Sequence, residues 1–573
     1  MNNTDAGEWK CVPYDDTVSA ALASALDLPL AIGKVLVGRG IHTEAAARAY
    51  LNPALSQLTD PFSMPGITVA LKRVLQAIDQ SEQIVVYGDY DCDGVVATTL
   101  LVDVLRKLGA EVAYFIPQRV EDGFGFTLGA LDRVLEEMHP RLIITADCGM
   151  RSADAVDKAS QAGVDTIIID HHFPYGSPFP SSLAVISSID ENAPSSMQSL
   201  ASVGLAFVLC RALCSTLDAG SEIDMWHYLD LVTIGTITDL MPLTGDNRIL
   251  THFGLQLLND VRKRRPGILA LLRMAGLRTE LGSYEVGFLV GPRVSAAGRV
   301  GDASVAVGLL LETDPMEARR FSGRLEACYR ERRRIEEGVM QDALAAAQET
   351  IKEQEGVIVA VGSGWHIGTI GIVAARISGR YNRPVVVITN EGDGKARGSC
   401  RSVSGVDLEK VLTHCSEYLL SYGGHGFVAG FALETEHIAA FCEAFRSACK
   451  RERDPALETG QYDVDAWIDL SEADAYLLDS IKQLQPLGVG NQTPVWGARH
   501  VRIQGPPKIV GGNHLKCTIV SGNTQCDAIG YGLGDLTVPE EPLDICFQLQ
   551  RNHYRGVSRL QLSLKSMRHS VAS

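Results

Sequence analysis

The stretch Ile84–Gly94, IVVYGDYDCDG, decides how this chain is to be read. Its apolar, β-branched opening predicts a short strand that ends at Gly88. Three carboxylates follow at alternate positions, Asp89, Asp91 and Asp93, and Gly94 closes the run. Alternating carboxylates before a glycine open a calcium-binding EF-hand loop, and they equally open a catalytic metal site. An EF-hand needs a bidentate glutamate at the twelfth position counted from Asp89, where this chain has Leu100, and it joins two helices, whereas this run follows a strand. The catalytic reading is the one the surrounding sequence has to support.

From this strand onward, short β-branched runs alternate with amphipathic stretches. After IVVYG come VVATTLLVDVLRKLGA at 95–110, EVAYFIP at 111–117, TLGALDRVLEEM at 127–138, RLIITAD at 141–147, SADAVDKASQAG at 152–163 and TIIID at 166–170. Strand–helix alternation of this kind predicts a parallel sheet with right-handed crossovers, followed by further helix to about residue 260. Residues 314–355 are dense in helix formers and predict one helix of about 40 residues, roughly 60 Å, enough to bridge two domains. Its arginines Arg330, Arg332, Arg333 and Arg334 alternate with glutamates and read as a solvated face. A second α/β unit begins at GVIVAVGSGW (356–365) and continues through GTIGIVAARISGRY and PVVVIT. Beyond about residue 453, short alternating strands with Gly and Asn turns, ending in SRLQLSLKSM, predict a small β-barrel. The expected architecture is α/β: two α/β lobes joined by a long helix, plus a C-terminal OB-like barrel. The expected domains are 1–80, an N-terminal segment; 81–260; 261–355, a helical linker; 356–452; and 453–573.

Composition bounds the function. A length of 573 residues with 46% apolar content suffices for several cores. The formal net charge of −17 excludes a chain coated in basic residues, so any phosphate backbone must meet a local cationic groove. Thirteen cysteines without a CxxC pair fit a reduced, cytoplasmic compartment, and Cys210 and Cys214 read as buried thiols. The opening MNNTDAGEWK carries no signal-peptide pattern, and no apolar run reaches the ~20 residues of a membrane span.

Ligands of parallel sheets gather at the carboxyl ends of the strands. Asp89, Asp91 and Asp93 follow the first strand, Asp147 follows LIITA, and Asp170, His171 and His172 follow TIII. Asp239 comes just after the helical YLDLVTIGTIT. Singly, each has a plain explanation: a helix cap for Asp147, a surface or core accident for the histidine pair, a helix end for Asp239. Jointly, they place carboxylates and imidazole on one sheet edge, a donor set that suits Mn²⁺ or Mg²⁺. Cys92 and Cys148 read as small packing residues.

These residues resemble the DHH phosphoesterase superfamily, and the remainder resembles the RecJ family of single-stranded-DNA-specific exonucleases within it. The resemblance is carried by GDYDCDG, Asp147, DHH at 170–172 and Asp239. It extends in family order through GPRVSAAGRVGDA (291–303), GWHIGTIGIVAARI (364–377), ARGSCRS (396–402), GGHGFVAGF (423–431) and LQPLGVGNQTPVW (484–496). It covers most of the chain from about residue 80. It implies metal ligation by Asp89, Asp91, Asp93, Asp147, His171 and Asp239, with Asp147 bridging two ions. His172 is implied beside the reacting phosphate, and Asp170 holds the motif behind it. Gly423, Gly424 and His425 are implied to contact the nucleic-acid backbone. Ser399 and Arg401, helped by Arg119 and Arg299, are implied to bind a terminal 5′ phosphate. Two departures stand out: Tyr87 where related phosphoesterases often have His, and Ser295 where the family often has Asn.

The implied activity is metal-dependent hydrolysis of single-stranded DNA from its 5′ end to 5′ mononucleotides, in repair and recombination. The barrel would track the strand, and a channel between the two lobes would exclude duplex. Single-stranded DNA is the implied partner, with a helicase and a single-strand-binding protein supplying it to a monomer. The alternatives are another DHH phosphoesterase, such as a pyrophosphatase, oligoribonuclease or cyclic-dinucleotide phosphodiesterase, and a replication scaffold without catalysis. Chain length argues against the first and the intact ligand set against the second.

Overall fold

Ile84–Gly88 is a strand, β1, whose five residues are all buried, as expected for a central strand covered on both faces. The computed structural model describes residues 9–570 apart from 120–121, 124, 175–177, 279, 354–355, 404, 454–461, 535, 537, 539–540 and 555–556. The chain divides into two compact units. One runs from Leu55 to Asp454 and takes in Gly488–Gly490; the other combines the preceding residues with the remainder after 454.

In the larger unit, β1 belongs to a five-stranded parallel sheet with β2 (Val112–Phe115), β3 (Leu142–Ala146), β4 (Asp165–Ile169) and β5 (Ala184–Ile186), in the order β2-β1-β3-β4-β5. The order reverses between β1 and β3, which makes their carboxyl ends the place where a ligand crevice opens. Helices α1 (Cys92–Lys107), α2 (Ser202–Thr216) and α3 (Leu229–Thr238) are almost wholly buried. They share one large core with one face of the sheet and with helix Ile67–Asp79. The short α4 (Ala296–Val300) leads to α5 (Pro315–Ala346).

The long helix is shorter than the sequence predicts. It ends at Ala346, where a break at Ala347 precedes a separate turn of helix, Gln348–Lys352. Its 32 residues span roughly 48 Å. It still packs against both lobes, on α4 and on α6 (Ile367–Tyr381). The solvated-face reading holds for Arg330, Arg333 and Arg334, which are exposed. It fails for Arg332, which is buried with Glu336 at 3.7 Å.

The second lobe is a mixed sheet of β6 (Ile358–Ser363), β7 (Val385–Asn390), β8 (Lys395–Arg401), β9 (Leu419–His425) and β10 (Val428–Glu434), ordered β9-β10-β8-β7-β6. Only β6 and β7 run parallel, and α6 joins them. In the other unit, strands Trp496–Ile503, Leu543–Tyr554, Val557–His569, Thr524–Tyr531 and His514–Ser521 pair in succession, and the last pairs back to the first. That closed ring is the expected small barrel. Helices Asp16–Leu26, Leu30–Gly38 and Glu44–Leu51 contribute to its core, and Trp9–Cys11 pairs with Tyr462–Val464. Among the described residues no helix is long and apolar enough to cross a membrane. No cysteine is disulfide-bonded, and Cys92, Cys148, Cys210 and Cys214 are buried.

Candidate metal centre and nucleic-acid interface

Gly88, Ala146 and Ile169 pair side by side across β1, β3 and β4. The next residue on each strand is an aspartate: Asp89, Asp147 and Asp170. Their amides extend the ladder one rung, donating to Ala146 O at 3.0 Å, Ile169 O at 2.9 Å and Ile186 O at 3.3 Å. Register alone therefore sets three carboxylates in a row at the switch point. Asp147 bends sharply out of β3 with φ at +68°, a left-handed conformation uncommon outside glycine.

Asp91 caps α1, accepting from Gly94 N at 3.1 Å. Asp93, in the first turn of α1, accepts from Ser202 N at 2.7 Å and Val203 N at 3.1 Å, the opening amides of α2. The Ser202 hydroxyl donates to Asp147 Oδ1 at 2.9 Å. Asp239 closes α3, and His171 Nε2 lies 3.3 Å from Asp239 Oδ2 and 3.5 Å from Asp147 Oδ1. Three groups result, in each of which the donor atoms lie within 4.8 Å of one another: Asp89–Asp91–Asp147, Asp147–His171–His172 and Asp93–His171–Asp239. All six residues expected as ligands are brought together, and Asp147 belongs to two groups.

The electrostatics suit a cation. Burial, then the Asp91 charge, pushes Asp89 up to about 8 and Asp93 to about 7. Burial and the neighbouring aspartates hold Asp147 and Asp239 well above the ordinary carboxylate range. Asp89 Oδ1 is buried without a hydrogen-bond partner, a cost that a bound cation removes. Carboxylate oxygens with one or two imidazoles fit Mn²⁺ or Mg²⁺. Asp170 differs: burial would raise it, but the adjacent His172 charge and hydrogen bond keep it low. It accepts from Met150 N at 3.0 Å and from His172 N and Nδ1 at 3.0 and 2.8 Å. Burial opposes the charge on His172, yet Asp170 raises that imidazole to about 9.

Tyr87 takes no part. Its ring packs on Phe115 and Phe126 on the other face of the sheet, and its hydroxyl donates to Gly125 O at 3.0 Å. Ser295 is buried between two short helices.

The second lobe faces this centre with one side of its sheet. Pairing sets Gly423, Gly430, Ser399 and Val387 in one row and His425, Val428, Arg401 and Val385 in the next. Val385 and Val387 are covered by α6; Ser399, Arg401 and Gly423 lie beyond that cover on the same face. Gly424 lies on the opposite face, beside Ala429. The His425 side chain lies outside the described residues. Arg401 Nη1 donates to Ser399 Oγ at 3.0 Å. A β-carbon on Gly371 of α6 would come within 3.0 Å of Arg401 Nη2 and 3.1 Å of Ser399 Oγ, so the helix packs closely there. Arg299 Nη1 donates to Gly368 O at 3.2 Å, at the start of the same helix. Burial, then Arg119 and Arg332, lowers Arg299 to about 10. Arg119 stacks 5.2 Å over Tyr90, and its charge acts on Asp89, Arg299 and Arg401 alike. The four residues expected to hold a 5′ phosphate thus surround the first turns of α6, next to the metal centre.

Sequence reasoning missed three residues. Ser202 orients Asp147, but a serine opening a helix is read as a cap. Arg332 is hidden in a charged run. Arg151 donates from Nε to Phe173 O at 2.8 Å, and its Nη1 stands 2.6 Å from where a Gly423 β-carbon would lie, which explains the glycine and links the two lobes.

Comparison with known proteins gives matches along nearly the whole chain. The family descriptions are "DHH family, N-terminal domain" at residues 83–236, "DHHA1 domain" at 354–451 and "RecJ OB domain" at 464–566. The single-stranded-DNA-specific exonuclease RecJ of Bacillus subtilis is 32% identical over 568 residues, 97% of this chain and 70% of that protein. The Escherichia coli protein of the same name is 31% identical, covering 94% of this chain and 96% of its own. RecJ of Thermus thermophilus, crystallised with Mn²⁺, superposes with a TM-score of 0.83 at 27% identity, covering 99% of this chain and 80% of its own. A second crystal structure of RecJ from that organism contains Mg²⁺ and gives 0.78 at 25% identity over 99% of this chain and 79% of its own.

Proposed function

Because the chain belongs to the RecJ family of single-stranded-DNA-specific exonucleases, we propose that it hydrolyses single-stranded DNA from the 5′ end to 5′ mononucleotides. The observation that carries the reading is Asp147, which belongs to the Asp89–Asp91–Asp147 group and stands 3.5 Å from His171 Nε2 of the Asp93–His171–Asp239 group. Asp89, Asp91, Asp93, Asp147, His171 and Asp239 are proposed to hold one or two Mn²⁺ or Mg²⁺ ions. Such ions, when bound, screen the phosphodiester and lower the pKa of water toward neutrality.

The protein's own residues do the remaining work. Asp170 accepts the Nδ1–H of His172 and so holds that imidazole in place beside the metal donors, where it would stabilise negative charge growing on the phosphate. Ser202 fixes the Asp147 carboxylate, and the helix amides fix Asp93, so the donor set is preorganised before substrate arrives. Arg401, Ser399, Arg299 and Arg119 form the pocket that stops the strand at its terminal 5′ phosphate, which positions the next phosphodiester over the metal centre. Gly423, with the Arg151 guanidinium lying over it, would offer the sugar–phosphate backbone a cationic contact.

The proposal includes the division at 81–260, 261–355, 356–452 and 453–573. It includes strand tracking by the barrel, action as a monomer in a reducing compartment, and DNA repair as the setting. A helicase and a single-strand-binding protein would supply the strand, since paired DNA must be opened first. The test is Asp147→Ala with a 5′-phosphorylated oligonucleotide and Mn²⁺. The account expects nucleotide release to fall at least about a hundredfold; release near the wild-type rate would remove the metal assignment. Arg401→Ala should erase the preference for 5′-phosphorylated over 5′-hydroxyl ends, and an unchanged preference would remove the pocket.

A further inference from the structure

His366 has no role in the account so far. It precedes α6 with extended backbone angles, φ −66° and ψ 122°, and its side chain caps the helix: Nδ1 accepts the Gly368 amide at 3.0 Å. Thr369 closes the same turn with its amide and its hydroxyl, both donating to His366 O at 2.9 Å. A histidine that caps through Nδ1 must carry its proton on Nε2, because Nδ1 is committed as the acceptor. The tautomer is thereby fixed, with one N–H donor turned away from the helix. No hydrogen bond engages Nε2 among the described residues. Burial, then the Arg119 charge, keeps the imidazole below its ordinary pKa and so neutral, as the cap requires.

The surroundings identify what this donor meets. The first turns of α6 touch Arg299 through Gly368 and approach Arg401 and Ser399 at Gly371, while Arg119 acts on His366 itself. Three guanidiniums, a hydroxyl and a helix N-terminus lie together here, and each favours an anion, while Asp91 and Asp89 of the metal centre act on Arg299 and Arg119 from one side. We propose that His366 is a further specificity-determining residue of this pocket, donating Nε2–H to the terminal 5′ phosphate of the strand. The inference rests on the pocket reading above and deepens it. The charged arginines attract any phosphate; a neutral donor of fixed direction adds discrimination in favour of the terminal one, whose extra oxygen an internal diester lacks.

His366→Ser separates the two tasks of the side chain. Serine caps a helix well, but it is too short to reach into the pocket. The measurement is kcat/KM on 5′-phosphorylated and 5′-hydroxyl oligonucleotides of one sequence with Mn²⁺, together with the thermal midpoint. The expected result is an unchanged midpoint and a 5′-phosphate preference reduced about tenfold, borne by KM on the phosphorylated strand. If the serine variant is unstable, His366→Asn, another strong cap, replaces it. An unchanged preference in a stable variant, with Arg401→Ala still erasing it, would overturn the role of His366 and leave the pocket standing. No preference in the wild-type protein would overturn the pocket, and this inference with it.

Discussion

Asp147 shows how much one residue can carry. It leaves β3 in a left-handed turn, takes a hydrogen bond from Ser202, and stands between two sets of donors. Its position at a strand end was legible in the sequence, because parallel strands deliver ligands at their carboxyl ends. Its support was not, since Ser202 lies on another element 55 residues away. Ser202→Ala should weaken Mn²⁺ affinity about tenfold to a hundredfold with little change in fold, measured by titrating activity against metal. Tyr87 makes the opposite case. A residue that looks like a missing ligand in the sequence instead packs its ring on Phe115 and Phe126 and commits its hydroxyl to Gly125 O. Tyr87→Phe should cost about 1 kcal/mol of stability, from the unpaired Gly125 carbonyl, and leave metal dependence untouched. A changed metal requirement would mean that the phenol does act at the centre.

At the scale of elements, the strand and helix pattern was readable wherever periodicity was strong, and strand register then fixed the three-aspartate row without further information. The long helix was readable as an element but not in its end or its charges. Local composition cannot tell which arginine of Arg330–Arg334 turns inward; that depends on helix face, and Arg332 shares its face with Tyr329 and Glu336, three and four residues away. Glu336 also accepts from Arg376 of α6 at 2.8 Å, so it ties the linker to the second lobe. Glu336→Ala leaves the Arg332 charge buried without its partner and should lower unfolding stability by about 3 kcal/mol in denaturant titration. It should also loosen α6, which borders the proposed phosphate pocket, and raise KM for DNA. A variant with wild-type stability would show that the pair is ornamental.

For the molecule as a whole, no sequence pattern marks residues 9–54 as sharing a core with the barrel, because nothing local records a partner more than 400 positions away. The charge problem is legible in the sequence: an acidic chain that acts on a polyanion needs local cations, which the proposed arginine cluster and bound metal would supply. That problem has a measurable consequence. Asp89 and Asp93, ordinarily near 3.8, are raised to about 8 and 7 when no cation is present. The folded metal-free protein therefore keeps protons that the unfolded chain has already released, and its stability falls as pH rises from about 4 toward 8. Melting in chelator should give a lower midpoint at pH 8 than at pH 6, and Mn²⁺ should raise it more at pH 8. A metal-free midpoint that climbs between those values would contradict the burial of these carboxylates.

Metal-dependent digestion from the 5′ end is read by a time course on end-labelled DNA with Mn²⁺ or chelator. A 5′ label on single strands should appear at once as a mononucleotide. A 3′ label should appear only as strands are consumed, and neither should be released from blunt duplex or in chelator. Release that begins at the 3′ end, or that persists in chelator, would contradict it.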